Sequence, residues 1–223
     1  LSKRVSRGGY PEIVFGLEGR ARALWMREYL AAVTGRDVRD IAEVGKLADL
    51  PRLLTALAAQ SSGLVNLRRL GGELGLDGKT VDRYAALLEH VFLIKRVVAW
   101  STNTLSRLVK APKIHFLDSG LLATLRRASA LDQPKNRASL GPLLESFVYG
   151  ELLKLAELQP DPPAIMHYRT RDGEEVDFVL EAGRYGGRRR SEGVSRRARR
   201  GFPRLDDDAR RAGETLPRRH PAP

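Results

Sequence analysis

Apolar residues recur every three to four positions through much of the first half of the chain, and every second position in stretches of the second half. The first period predicts amphipathic helices and the second half-buried strands. GGYPE (residues 8–12) reads as a turn. From Ala21 to about Asp49 the pattern is helical, broken at Thr34-Gly35, with Val38, Ile41, Val44 and Leu47 on one stripe. Pro51 stands where a helix can begin, and Leu53, Leu54 and Leu57 follow it at helical spacing. Leu67, Leu70 and Leu74 mark a short helix, Gly75 to Gly78 a tight turn, and Val81, Ala85 and Leu88 the inward face of a longer helix. Two strands follow, FLIKRVVAW and PKIHFLD, joined by the polar, basic STNTLSRLVKA.

Residues 119–142 read as loosely helical and then loop-like. LLESFVYGELLKLAEL is an amphipathic helix ended by QPDPP, and IMHYRT and EVDFVLE form a β-hairpin turning at Asp172-Gly173. After Ala182 no strand or helix is assigned, because the chain becomes a string of arginine and glycine without an apolar period. Three helices and then a hairpin is the order of a winged helix-turn-helix. The pattern therefore predicts an α/β (α+β) chain in four parts: a helical linker over 1–50, a winged helix-turn-helix over 51–118, a truncated α/β domain over 119–182, and a disordered Arg-rich tail over 183–223.

Charge changes this picture less than its total suggests. Of the formal +12, residues 184–223 carry +8, from 13 arginines against five acids, which leaves +4 for the remainder. The basic character thus belongs mostly to the tail. With no cysteine, disulfides and thiolate metal sites are excluded, and a reducing cytoplasm is the expected compartment. No membrane span or signal peptide is visible. The chain opens mid-pattern at Leu1, which predicts a piece of something longer.

GELGLDGKT imitates a phosphate-binding loop. That loop needs four residues between its first glycine and the GK[ST]; the required position holds Glu73, and Gly72 leaves five between. A phosphate loop also follows a buried strand, whereas a helix is expected here. The stretch instead opens the second helix of the helix-turn-helix, where Lys79, Thr80 and Arg83 lie on the exposed side and reach base edges or phosphates. Arg68, Arg69, Arg107, Lys110 and Lys113 would supplement this surface. Asp82 and Glu89 interrupt it, and winged helices also dock proteins, so the partner is DNA or a protein.

Two acids stand out beyond it. Glu145 falls on the helical stripe of Val148 and Leu152, and Asp177 sits between Val176 and Phe178 on a strand. Half-buried carboxylates are costly unless paired or metal-bound, and two that converge would suit Mg²⁺. His90, His115 and His167 show no recognisable ligand spacing.

GGYPEIV, GRDVRDIAEV, GKTVDRYAALLEHVFLIKRV, KIHFLDSGLL, LLESFVYGELLK and HYRTRDGEEVDFVLE, in this order, resemble the C-terminal half of bacterial and archaeal AAA-type ATP-binding proteins, domain of unknown function 4143. The likeness runs from about Gly8 to Leu180. It implies that ATP is bound only in an N-terminal AAA-type domain that this sequence lacks. It also implies a PD-(D/E)XK nuclease-like fold, in which a helical Glu, a strand Asp and a following E-x-K strand hold the metal. Glu145 and Asp177 match the first two, with Glu151 as a fallback for the helical acid, and no E-x-K follows.

Read one nucleotide later, codons that permit RRRSEGVS (residues 188–195) also permit GVEVKAS, which contains the absent motif. A frameshift near Ala182–Arg190 is therefore expected, with an unpaired edge left on the hairpin; the rival reading is a natural Arg-rich arm that binds nucleic-acid backbones. The sequence then predicts a DNA- or protein-binding module with an incomplete nuclease-like site. The alternative is an active Mg²⁺-dependent DNA nuclease whose lysine comes from the tail or a partner.

Overall fold

The computed structural model describes residues 1–38, 47–103, 110–126, 137–170, 172–182 and 191–194. Three helices open the chain: α1 (Ser2–Arg7), α2 (Pro11–Phe15) and α3 (Gly19–Ala32), the last running into a π-helical turn, Val33–Asp37. Ile41 and Val44 fall outside the described residues, while Thr34 and Gly35, where the helical pattern breaks, lie in the π-helical turn. A short 3-10 turn, Leu47–Asp49, leads into α4 (Leu50–Ala59), which carries Pro51 in its first turn, where the missing N–H costs nothing, and buries Leu50, Leu53, Leu54 and Leu57.

The next pair shows how local chemistry fixes an element. In α5 (Leu67–Leu74) the Asn66 side chain caps the start by accepting from the Arg69 N–H at 3.0 Å, and Gly75 ends it in the left-handed region. In α6 (Gly78–His90) Asp77 accepts from the N–H groups of Lys79 and Thr80 at 3.0 and 2.9 Å. Val81, Tyr84, Ala85, Leu87 and Leu88 form its buried side. The GKT stretch thus begins a helix that follows another helix, with no strand before it among the described residues.

α6 turns through Phe92, an exposed residue at φ 57, into β1 (Ile94–Val97). β1 pairs antiparallel with β2 (Lys113–Phe116), with Ile94 opposite Phe116 and Val97 opposite Lys113. The two strands are those expected from FLIKRVVAW and PKIHFLD. Arg107, one of the supplementary cations, lies outside the described residues.

α7 (Ser119–Leu125) is the helical start of the 119–142 stretch, whose loop-like end instead belongs to the next helix from Arg137. Asp118 caps it, accepting from the Leu121 N–H at 2.7 Å, and its other oxygen accepts from the Gly9 N–H at 2.7 Å. Gly120 faces the Arg7 carbonyl so closely that a Cβ would stand 2.2 Å from that oxygen, so the N-terminal segment is seated directly on α7. The long helix α8 (Arg137–Glu157) precedes β3 (Ala164–Arg169) and β4 (Glu175–Glu181). That hairpin turns through Gly173 at φ 88.

One correction concerns the C-terminus. Ser191–Val194 form β5, antiparallel to β4 with Phe178 opposite Val194 and Glu181 opposite Ser191. The sheet order is β3-β4-β5, so the outer edge of β4 is paired where a bare edge was expected. The strand escapes pattern reading because SEGV has no alternation; β4's ladder donors and acceptors recruit it. Residues 195–223 lie outside the described residues.

The segment after β1 ties the hairpin to this sheet. Ala99 bridges His167 in parallel, the Trp100 N–H donates to the His167 carbonyl at 2.6 Å, and the His167 N–H donates to the Val98 carbonyl at 3.1 Å. One core runs from Val5 through Leu54, Tyr84 and Phe116 to Leu143, and Val97, Tyr149 and Phe178 form a second cluster under the sheet. The chain is thus a mixed α/β structure. None of its described helices is long and apolar enough to cross a membrane.

Candidate functional site

Lys113 begins β2, and its side chain is 1% exposed. Its Nζ lies 2.9 Å from Glu145 Oε1 on α8, 2.6 Å from Glu175 Oε1 and 3.1 Å from Asp177 Oδ1. Glu175 and Asp177 stand two residues apart on β4, so both point to one face of the sheet. An ammonium has three N–H donors, and here it meets three carboxylates.

The sequence placed Lys113 on a basic surface. It is buried instead, because the three acids supply the partners that let an ammonium leave water. Glu145 and Asp177 both reach this lysine. Glu175 was missed, although the E-x-D spacing of EVDFVLE carries the signal. Glu151, the fallback acid, pairs instead with Lys154 one turn along α8.

Three carboxylates around one ammonium leave surplus negative charge, which the protonation equilibria reflect. Burial pushes Glu145 up to about 7; Lys113 pulls it down, while Asp177 and Glu175 add to the rise. Burial opposes the charge on Lys113, but Glu145, Glu175 and Asp177 outweigh it and hold the lysine above its ordinary value. At Glu175 burial is likewise outweighed, by the hydrogen bond and charge of Lys113 with help from Arg169 and His167, so this carboxyl sits low.

A second layer lies beneath. His115, wholly buried on β2, stacks on Tyr149 with centroids 4.8 Å apart. Its Nδ1 is 3.4 Å from the hydroxyls of Ser62 and Ser146, and its Nε2 is 3.8 Å from Glu145 Oε1. Burial and then the Lys113 charge push His115 down to about 3, and the same two causes take His167 to about 4. Both rings are neutral at physiological pH. Ser62 donates its hydroxyl to the Pro142 carbonyl at 3.0 Å, so it is no nucleophile waiting on His115.

The fit to Mg²⁺ is decided by Lys113. Its oxygens lie at ammonium hydrogen-bond distances, whereas Mg²⁺ takes oxygens at about 2.1 Å. Among the described residues no group of three or more His, Asp or Glu is arranged to hold a metal ion. As arranged, these residues fit a cation already built into the chain, and not a metal.

The residues expected to face DNA lie elsewhere on the molecule. Lys79 and Arg83 are exposed on α6, the latter with its guanidinium 5.7 Å from the Tyr84 ring centroid. Thr80 is half-buried and donates its hydroxyl to Asp77 at 2.5 Å, so that group is engaged in capping. Arg68 is exposed and lays its stem against Gly78, while exposed Arg69 is tied to Glu73 at 2.9 Å. The two acids that interrupt the stripe are both taken by Arg96 of β1, through Asp82 at 2.6 Å and Glu89 at 2.6 Å.

A family model described as a domain of unknown function, DUF8612, matches residues 1–132, and a second, the domain of unknown function DUF4143, matches residues 140–210. Lys113 lies in the first segment, and Glu145, Glu175 and Asp177 lie in the second. Two proteins named as uncharacterised, one from Mycobacterium bovis and one from Mycobacterium tuberculosis, are each 27% identical over 175 residues, which is 78% of this chain and 39% of theirs. The chain therefore spans about two fifths of the length of these relatives. No solved structure matches it. With the first model covering more than half of its length, the chain belongs to the DUF8612 family.

Proposed function

We propose that this chain is a DNA-binding module of a larger protein, in which α5, α6 and the β1–β2 hairpin act as a winged helix-turn-helix with α6 in the major groove. The observation that carries this reading is the capture of both Asp82 and Glu89 by Arg96. The acids that would repel phosphate are held by a neighbouring strand, and Lys79 and Arg83 stand on the exposed face beside Arg68. Cations presented to a phosphate backbone dominate non-specific affinity, so this local balance matters more than the total charge. An N-terminal AAA-type domain would bring ATP to the longer protein.

The nuclease-like site is closed on itself in this reading. Its acids are satisfied by Lys113, and β5 gives β4 a third strand in the present frame, one without lysine. A Mg²⁺-dependent nuclease remains the second reading, favoured by the meeting of Glu145, Asp177 and a lysine at one point; metal would have to displace Lys113 from the acids.

Titration of a DNA duplex at several salt concentrations tests the first reading. Lys79→Ala/Arg83→Ala should weaken binding at every sequence offered. An unchanged affinity points to protein docking. Metal-dependent cleavage that disappears in Asp177→Ala would put the nuclease ahead.

A further inference from the structure

We propose that Lys113 is a built-in cation that takes the place of a metal ion, clasping β2 to α8 and β4 by drawing Glu145, Glu175 and Asp177 onto one ammonium. This assigns the acid cluster a structural task that is independent of whether α6 binds DNA. Three features support it. The lysine is 1% exposed, so it is no mobile surface cation visiting the acids. Its three donors meet three acceptors, which leaves the ammonium no unused hydrogen to offer to a substrate. The acids come from places 32, 62 and 64 residues further along the chain, so the contact closes two long loops at once.

The location gives the clasp its consequence. Lys113 is the first residue of β2, directly opposite Val97, where β1 leaves its hairpin to run beside β3. The two segments matched by different family models are thereby joined across a buried ion cluster as well as by apolar packing. Breaking a buried pair from one side leaves uncompensated charge and costs far more than the intact pair contributes.

The test uses the full chain. For the unmodified protein, the thermal midpoint should not change between EDTA and millimolar Mn²⁺, and Mn²⁺ titrated by electron paramagnetic resonance should stay free. Lys113→Met should lower the midpoint by on the order of 10 °C. The same change made together with Glu145→Gln and Asp177→Asn should cost clearly less, because fewer charges are stranded. Mn²⁺ binding that raises the midpoint while Lys113 is present would overturn the proposal. So would equal costs of Lys113→Met in the two backgrounds. If Lys113→Met alone yields no folded protein, recovery of folding in the triple variant supports the clasp, and failure of the triple variant as well counts against it.

Discussion

At Gly71 a methyl group has nowhere to go. A Cβ there would sit 2.8 Å from the Leu76 carbonyl oxygen and 2.9 Å from Val81 Cγ2. The first neighbour is backbone, pinned because the Leu76 N–H donates to the Gly71 carbonyl at 2.8 Å. Helix propensity favours alanine by up to about 1 kcal/mol, but overpacking of this kind costs about 1–3 kcal/mol, so the clash should win. Gly72, one residue on, has no atom within 4 Å of its Cβ position. Urea unfolding should therefore show Gly71→Ala destabilised and Gly72→Ala stabilised by roughly 0.5–1 kcal/mol. If both move the same way, the close approach of α5 to α6 is wrong. Lys113 shows what single-residue inspection cannot reach. A lysine opening a short strand is normally solvated, and only acids far along the chain reverse that preference.

Among elements, α5 and α6 were the most legible, because apolar residues recur at helical spacing in each and Gly75 to Gly78 mark the turn between them; the caps Asn66 and Asp77 emerge only in the structure. The β3–β4 hairpin was announced by Asp172-Gly173 in the same way. β5 was not, since nothing in SEGV marks a strand until β4 stands beside it. The exposed face of α6 yields a quantitative prediction. If Lys79 and Arg83 each neutralise one phosphate, replacing both with alanine should reduce the slope of log K against log salt by about 1.8. Neither side chain contributes to the core, so thermal stability should stay within about 0.5 kcal/mol of the parent. A full slope with weakened binding would mean that α6 contacts DNA by other residues. Asp77→Ala should behave in the opposite manner, lowering thermal stability through the lost cap and touching any DNA affinity only through fraying of the first turn.

At the scale of the whole molecule, the ion cluster and the two buried histidines together set how stability responds to pH. Below about 6.5 the unfolded chain protonates His115 and His167, which the folded chain holds neutral down to about 3 and 4. The unfolded state then binds more protons, so these two groups make stability fall as pH drops. Glu145 runs the other way. Its folded value of about 7 lies above the ordinary glutamate value of 4.5, so the folded state binds the extra proton between them and gains stability on acidification. From pH 7 to 5 the histidines together cost about 4 kcal/mol, and Glu145 returns about 2 kcal/mol. The histidines win over Glu145, and these three groups together should cost the fold about 1–2 kcal/mol over that interval. In Glu145→Gln the offset is gone while the amide oxygen can still accept from Lys113, so the loss should roughly double. Urea midpoints at pH 7, 6 and 5 for the two proteins measure this directly. Parallel pH profiles would show that Glu145 titrates normally, and that the three carboxylates do not share their ammonium in the manner the distances imply.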